Sequence, residues 1–146
     1  MIFVDANLLL YAYDAEHERH AAARAWLERS LQGDEEIRIP LASALAFVRI
    51  GSNPAVFRVP LDAAAAVGIV RSWLERPGVE LGLPTDRHWE TMARLVAEGQ
   101  ARGPLAMDAH LAALAIEHGA TLCTTDRDFA RFDGLRVTNP IADGSA

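Results

Sequence analysis

The sequence predicts an α/β domain with a mainly parallel sheet of four to five strands. Short apolar runs alternate along the chain with longer stretches of helical periodicity, the pattern of strands joined by crossover helices. Its 146 residues, 51% of them hydrophobic and 23% charged, suit one globular domain with one core. We therefore expect a single domain over residues 1–142 and a frayed tail at 143–146.

The predicted strands are short and apolar. Ile2, Phe3 and Val4 form a continuous apolar run, which is typical of a strand buried on both faces. Ile37 and Ile39 alternate with Arg38, as in a strand with one exposed face. The predicted strands are residues 2–4, 36–40, 79–83, 121–123 and 135–137.

Helices are predicted where apolar residues recur every three to four positions and capping residues mark the ends. Thr85 is a favourable N-cap for one of them, and Gly103 with Pro104 separates that helix from the next. The predicted helices are 7–13, 17–31, 41–50, 61–75, 86–101 and 105–118, with a helical turn at 128–132.

Composition restricts the classes of function. A net charge of −6 argues against a broad, non-specific nucleic-acid binder but not against a nucleic-acid enzyme, because arginines can contact phosphates locally. No apolar run approaches the roughly 18 residues of a membrane span, and the first residues lack the basic region of a signal peptide. The single cysteine, Cys123, excludes an intramolecular disulfide and lies in an apolar run, so we expect a buried side chain and a cytoplasmic protein.

Four aspartates stand at strand ends or helix starts: Asp5, Asp108, Asp126 and Asp128. Each has a structural explanation: Asp5 and Asp126 can cap helices, Asp128 would lie in the favourable first turn of the short helix, and Asp108 gains about 0.3–1 kcal/mol from its helix dipole. Together they carry more information, because the carboxyl ends of parallel strands meet at one edge of a sheet. Carboxylates gathered there repel one another unless a cation lies between them. The pattern favours a Mg²⁺ or Mn²⁺ site and phosphate chemistry.

Several segments, taken in order and spacing, resemble PIN-domain ribonucleases, specifically the VapC-type toxins of bacterial toxin–antitoxin pairs. The resemblance covers nearly the whole chain. The segments are Ile2-Phe3-Val4-Asp5-Ala6-Asn7, His20-Ala21-Ala22-Ala23-Arg24-Ala25-Trp26-Leu27, Phe47-Val48-Arg49-Ile50 followed by Asn53-Pro54, Met107-Asp108-Ala109-His110-Leu111-Ala112-Ala113, and Thr124-Thr125-Asp126-Arg127-Asp128-Phe129.

This resemblance implies a three-layer α/β/α PIN-like domain that binds Mg²⁺ or Mn²⁺ and hydrolyses RNA, often a tRNA or ribosomal RNA loop. It also implies a VapB-type antitoxin that inactivates the enzyme, and a homodimer. Carried over by position, Asp5, Asp108 and Asp126 match the catalytic metal-binding acids, and Asp128 matches a further, less regular metal ligand. Asn7 and Thr124 match polar residues that support the site.

One position departs from the family pattern. Many members have a glutamate where this chain has Ala46, and the nearest polar residue in that helix, Arg49, suits an RNA phosphate and a surface ion pair about equally. A non-catalytic PIN-like binding protein with a degraded metal site is therefore an alternative. A phosphatase with Asp5 as nucleophile is a third hypothesis, but such enzymes usually carry a second acid at the position of Asn7.

Further expectations concern partners and aromatic residues. Because a cation can stand in for a metal among carboxylates, we expect the antitoxin to present an arginine or lysine toward Asp5, Asp108 and Asp126. Trp26 and Trp73 are expected to pack in the core rather than form a contact surface, and His110 to be a surface or packing residue.

Overall fold

The computed structural model describes residues 1–142, so the predicted tail at 143–146 lies outside the described residues. The strands are β1 (Ile2–Val4), β2 (Ile37–Pro40), β3 (Val79–Gly82), β4 (Thr121–Cys123) and β5 (Arg136–Thr138). They form one sheet in the order β3-β2-β1-β4-β5, and every neighbouring pair is parallel. The predicted parallel sheet is confirmed.

Helices cover both faces of this sheet. They are α1 (Ala6–Tyr11), α2 (His20–Gln32), α3 (Leu41–Gly51), α4 (Ala63–Leu74), α5 (His88–Glu98) and α6 (Leu105–Glu117), followed by a 3₁₀ helix (Arg127–Arg131). Buried residues of α1 to α4 form one apolar cluster and those of α5, α6 and the 3₁₀ helix form another. The fold is therefore the predicted three-layer α/β/α arrangement.

Alternation along the central strands explains the two apolar clusters. In β1, Phe3 packs with the α5 and α6 side whereas Val4 packs with the α1 to α4 side, and Leu122 and Cys123 divide in the same way in β4. Successive side chains of a strand point to opposite faces, so a strand between two helical layers must be apolar throughout. This is why Ile2–Val4 is apolar throughout and why β4 carries its one polar side chain at its first residue, Thr121, which is only partly buried.

Trp26, Trp73 and Cys123 all lie in the core on the α1 to α4 side. Trp73 is 2% exposed and stacks obliquely on Phe47, with ring centroids 5.0 Å apart. The predicted packing role of both tryptophans is confirmed. Burial raises the pKa of the Cys123 thiol to about 12, so the thiolate is not populated near neutral pH.

The helix predicted over 86–101 is shorter at both ends, and α5 covers only His88–Glu98. Thr85 is not its N-cap, because the Thr85 hydroxyl accepts from the Arg87 amide in a turn that precedes the helix. At the other end the chain turns at Gln100, whose φ is 50°. Among residues 1–142, no helix has the length and apolar character needed to cross a bilayer.

Strand order creates a crevice between β1 and β4. From β1 the chain builds β2 and β3 on one side, then returns through α5 and α6 to place β4 on the other side of β1. In open parallel sheets, ligands bind outside the carboxyl ends of the strands at such a switch point. The residues that follow β1 and β4 are Asp5 and Thr124.

Candidate metal centre

Asp5 directly follows β1 and is the N-cap of α1. One carboxylate oxygen accepts from the Ala6 amide at 2.7 Å and the other accepts from the Thr124 hydroxyl at 2.7 Å. The Asp5 amide donates to the Cys123 carbonyl at 3.0 Å, which ties the residue to β4. Asp5 is therefore both a helix cap and a rigidly oriented carboxylate at the crevice, so its structural role does not compete with a functional one.

Thr124 links the two sides of the crevice. Its side chain is 1% exposed, and its hydroxyl donates to Asp5 while accepting from the Asp126 amide at 3.0 Å. Asp126 in turn caps the 3₁₀ helix, because its Oδ1 accepts from the Asp128 amide at 2.8 Å. A chain of short hydrogen bonds thus fixes Asp5, Asp126 and Asp128 relative to one another.

Asp108 completes the acidic cluster from the first turn of α6. Oxygen atoms of Asp108, Asp126 and Asp128 all lie within 4.8 Å of one another. Asp5 is outside this tight group, although its charge acts on Asp108. The structure therefore brings three of the four predicted acids into one potential ligand set and places the fourth beside it.

Burial and mutual repulsion make it unfavourable for these carboxylates to be ionised together. Burial, followed by the charges of Asp126, Asp5 and Asp128, raises the pKa of Asp108 to about 6, while Arg131 opposes the shift. Burial is also the largest cause that raises the pKa of Asp5, with hydrogen bonds from Thr124 and Ala6 acting against it. Holding these carboxylates ionised together costs free energy, which a cation between them would recover.

The raised pKa of Asp108 predicts that folding stability depends on pH when a chelator removes divalent metal. The pKa of Asp108 is about 6 in the folded chain and 3.8 ordinarily, so the folded state holds this proton more tightly than the unfolded state does. The resulting contribution to folding stability is full below about pH 4 and is lost as the pH rises through about 6. We expect a loss of ~1–2 kcal/mol after solvent screening of this half-buried group. Urea unfolding at pH 4 to 7 would measure it against Asp108→Asn, which should lose less stability over this range. Identical pH slopes for the two proteins would contradict the assignment.

The donor set fits a hard divalent cation. Asp108, Asp126 and Asp128 offer carboxylate oxygens, the ligands that Mg²⁺ and Mn²⁺ prefer. Asn7 lies near the same loop, because its amide nitrogen donates to the Thr125 hydroxyl at 3.0 Å. The Asn7 carbonyl oxygen is buried and has no hydrogen-bond partner among the described residues, which leaves one more oxygen that water could satisfy near the crevice.

Three other positions from the sequence analysis supply no carboxylate to the site. Ala46 lies half-buried in α3 and carries no polar atom on its side chain, so this helix supplies no carboxylate at that position. Arg49 is exposed on the same helix and forms no ion pair within residues 1–142. His110 has a packing role between α5 and α6, as predicted, because its Nδ1 lies 2.9 Å from Nε2 of the buried His88.

One residue near the cluster was missed from the sequence. The charge of Arg131 opposes the rise in the pKa of Asp108, and its Nε donates a hydrogen bond to the Asp128 carbonyl at 3.2 Å. Its signal was available in principle, because it stands three residues after Asp128 at the end of a helical turn. Sequence reasoning could not show that the Arg131 side chain reaches the Gly99 carbonyl at the end of α5.

The fold and the carboxylate cluster define a PIN domain, and the PIN domain family model matches residues 2–135. The chain is 40% identical to Ribonuclease VapC37 of Mycobacterium tuberculosis over 142 residues, covering 97% of this chain and 99% of that protein. It is 38% identical over 141 residues to Ribonuclease VapC43 of the same species, with 97% and 96% covered. The chain therefore belongs to the VapC branch of the PIN-domain family.

Solved structures share this fold at lower sequence identity. VapBC2 from Rickettsia felis, bound to a promoter DNA fragment, superposes with a TM-score of 0.66 at 18% identity, over 94% of this chain and 98% of that one. VapC20 from Mycobacterium tuberculosis, described as a Sarcin-Ricin loop cleaving toxin, gives 0.65 at 18% identity, over 93% and 99%. At this identity the likeness supports the fold alone.

Proposed function

We propose that this chain is a metal-dependent endoribonuclease, a VapC-type toxin that hydrolyses RNA phosphodiesters and is neutralised by a cognate VapB-type antitoxin. The observation that carries the proposal is the convergence of Asp108, Asp126 and Asp128 within 4.8 Å at the switch point of the sheet. Identity of 40% to a VapC ribonuclease over 97% of the chain supports the same activity. The non-catalytic alternative is not favoured, because the cluster is retained despite Ala46.

The residues have distinct roles in this proposal. Asp108, Asp126 and Asp128 would hold the metal, with Asp5 beside them as a further ligand. A bound Mg²⁺ or Mn²⁺ supplies neutralisation of phosphate charge and acidification of water. Thr124 holds the Asp5 carboxylate in one orientation through its 2.7 Å hydrogen bond. Hydrolysis in this arrangement leaves a 5′-phosphate and a 3′-hydroxyl.

The proposal also covers the RNA substrate, the oligomeric state, the location and the mode of inhibition. We infer a tRNA or ribosomal RNA substrate, a homodimer and a cytoplasmic location. The acidic cluster suits an antitoxin that inserts an arginine or lysine toward Asp5, Asp108 and Asp126, since such a cation would relieve the same repulsion as a metal. A structure of the complex with no basic group near these carboxylates would contradict this mode of inhibition.

The test is cleavage of end-labelled tRNA and ribosomal RNA by the purified chain. We expect cleavage with Mg²⁺ or Mn²⁺, none in excess chelator, and products that carry a 5′-phosphate. An Asp5→Asn variant, purified in parallel, controls for contaminating nucleases. Equal cleavage by the two proteins would contradict the assignment of ribonuclease activity to this chain. Calorimetry that detects no Mn²⁺ binding at millimolar metal would instead support a non-catalytic binding protein.

A further inference from the structure

Arg131 is the last residue of the 3₁₀ helix that carries Asp128 and is capped by Asp126. Its Nε donates to the Asp128 carbonyl at 3.2 Å, and its Nη1 donates to the Gly99 carbonyl at the end of α5 at 3.2 Å. The guanidinium therefore bridges two elements and is held in one place. A guanidinium has five N–H donors, so these two bonds leave three donors without a partner among residues 1–142.

No carboxylate within residues 1–142 neutralises this guanidinium through an ion pair. Arg131 nevertheless lies close enough to the cluster that its charge lowers the pKa of Asp108, against burial and three carboxylates that raise it. The backbone carbonyls of Gly99 and Asp128 hold the cation beside the acids without joining it to them. The side chain is also exposed, so a ligand can reach it.

We propose that Arg131 binds a non-bridging oxygen of the RNA phosphodiester at the edge of the carboxylate cluster. This inference rests on the proposed ribonuclease function and assigns a substrate contact within it. A planar guanidinium matches the geometry of a phosphate, and a restrained one loses little conformational entropy when it binds. The position also suits the charge balance, because a phosphodiester that approaches three carboxylates needs a cation from the protein as well as from a metal.

Arg131 could otherwise serve only to tether the 3₁₀ helix to α5. The two roles differ in what they change. A tether would act on the placement of Asp128 and thus on metal affinity, whereas a phosphate contact would act on RNA affinity and its salt dependence. Arg131→Gln removes the charge and keeps an amide donor, and Arg131→Lys keeps the charge without the planar fork.

The matched control is Arg136→Gln. Arg136 also donates to a glycine carbonyl, that of Gly119, but it lies at the beginning of β5, the opposite end of the strands from the crevice. RNA cleavage, Mn²⁺ affinity by calorimetry without RNA, and anisotropy of a labelled single-stranded RNA are measured for each protein. Binding is measured in an Asp126→Asn background with Mg²⁺ and increasing salt, so that the RNA is not cut.

We expect Arg131→Gln to lower kcat/KM by roughly 10- to 100-fold, the usual effect of losing a charge-assisted hydrogen bond. The slope of log affinity against log salt should fall by about 0.7, the value for one phosphate contact on a single strand. Mn²⁺ affinity should stay within about threefold of the wild type. Arg131→Lys should keep the salt slope and recover part of the cleavage, and Arg136→Gln should match the wild type throughout.

Two outcomes would overturn the inference. An unchanged salt slope in Arg131→Gln would show that Arg131 makes no phosphate contact. A loss of Mn²⁺ affinity that parallels the loss of cleavage would assign Arg131 the tethering role. If the wild type cuts no RNA, the proposed function fails, but the salt slopes of the two uncleaving proteins still decide whether Arg131 binds phosphate.

Discussion

The Asp126→Asn variant is expected to lose RNA cleavage by about 100- to 1,000-fold and, in chelator, to unfold at a higher temperature than the wild type. A metal contributes several kcal/mol to phosphate chemistry, and the loss of one carboxylate from its ligand set removes much of that effect. Stability moves in the other direction because the Asp126 charge opposes ionisation of both Asp5 and Asp108. Relief of about 1 kcal/mol would raise Tm by ~2–4 °C in a chain of this size.

Asparagine is the informative replacement because it keeps the cap of the 3₁₀ helix. The Asp126 Oδ1 accepts from the Asp128 amide at 2.8 Å, and an asparagine oxygen can accept the same hydrogen bond. Asp34→Asn is the control, since this exposed acid precedes β2, at the opposite end of the strands from the crevice. Cleavage and thermal unfolding should both be unchanged there. A less stable Asp126→Asn protein would show that the carboxylate serves the fold rather than a metal.

Strand positions could be predicted from the sequence because their physical cause is local. Ile2–Val4 is apolar on both faces, as are Leu122 and Cys123 of β4, and this pattern is visible in two or three consecutive residues. The end of α5 was predicted less accurately: the helix ends at Glu98 with Gly99 as its C-cap, and the residue with positive φ is Gln100 rather than the glycine. The beginning failed for a related reason, because Thr85 caps a turn rather than the helix itself.

The candidate site likewise has features that the sequence could predict and features that it could not. Parallel strands that end side by side bring Asp5 and Asp126 to one crevice, so their proximity followed from fold class alone. The tight grouping of Asp108 with Asp126 and Asp128 depends on how α6 and the 3₁₀ helix pack against each other, and the position of Arg131 depends on its contact with the end of α5. No residue pattern encodes that packing angle. Ala46 marks the opposite case, in which the family pattern predicts an acid that the chain lacks.

The Thr124→Val variant is expected to lose about 2–4 kcal/mol of folding stability although it preserves side-chain volume. Thr124 is 1% exposed, and its hydroxyl both donates to Asp5 at 2.7 Å and accepts from the Asp126 amide at 3.0 Å. Loss of a hydrogen bond to a carboxylate costs ~1.5–3 kcal/mol, and loss of the neutral one about 1 kcal/mol more. Because the Thr124 bond lowers the pKa of Asp5, its removal should raise that pKa further.

Urea unfolding in chelator measures the effect, with Thr138→Val as the matched control because Thr138 is exposed in β5. The control should change stability by less than about 0.5 kcal/mol. Thr124→Ser keeps the hydroxyl and should recover most of the hydrogen-bond energy while it loses only a buried methyl group, worth about 1 kcal/mol. If Thr124→Ser is as unstable as Thr124→Val, the methyl group rather than the hydroxyl carries the stability. The hydrogen-bonded link between β1 and the 3₁₀ helix would then not be what fixes Asp5 beside the other acids.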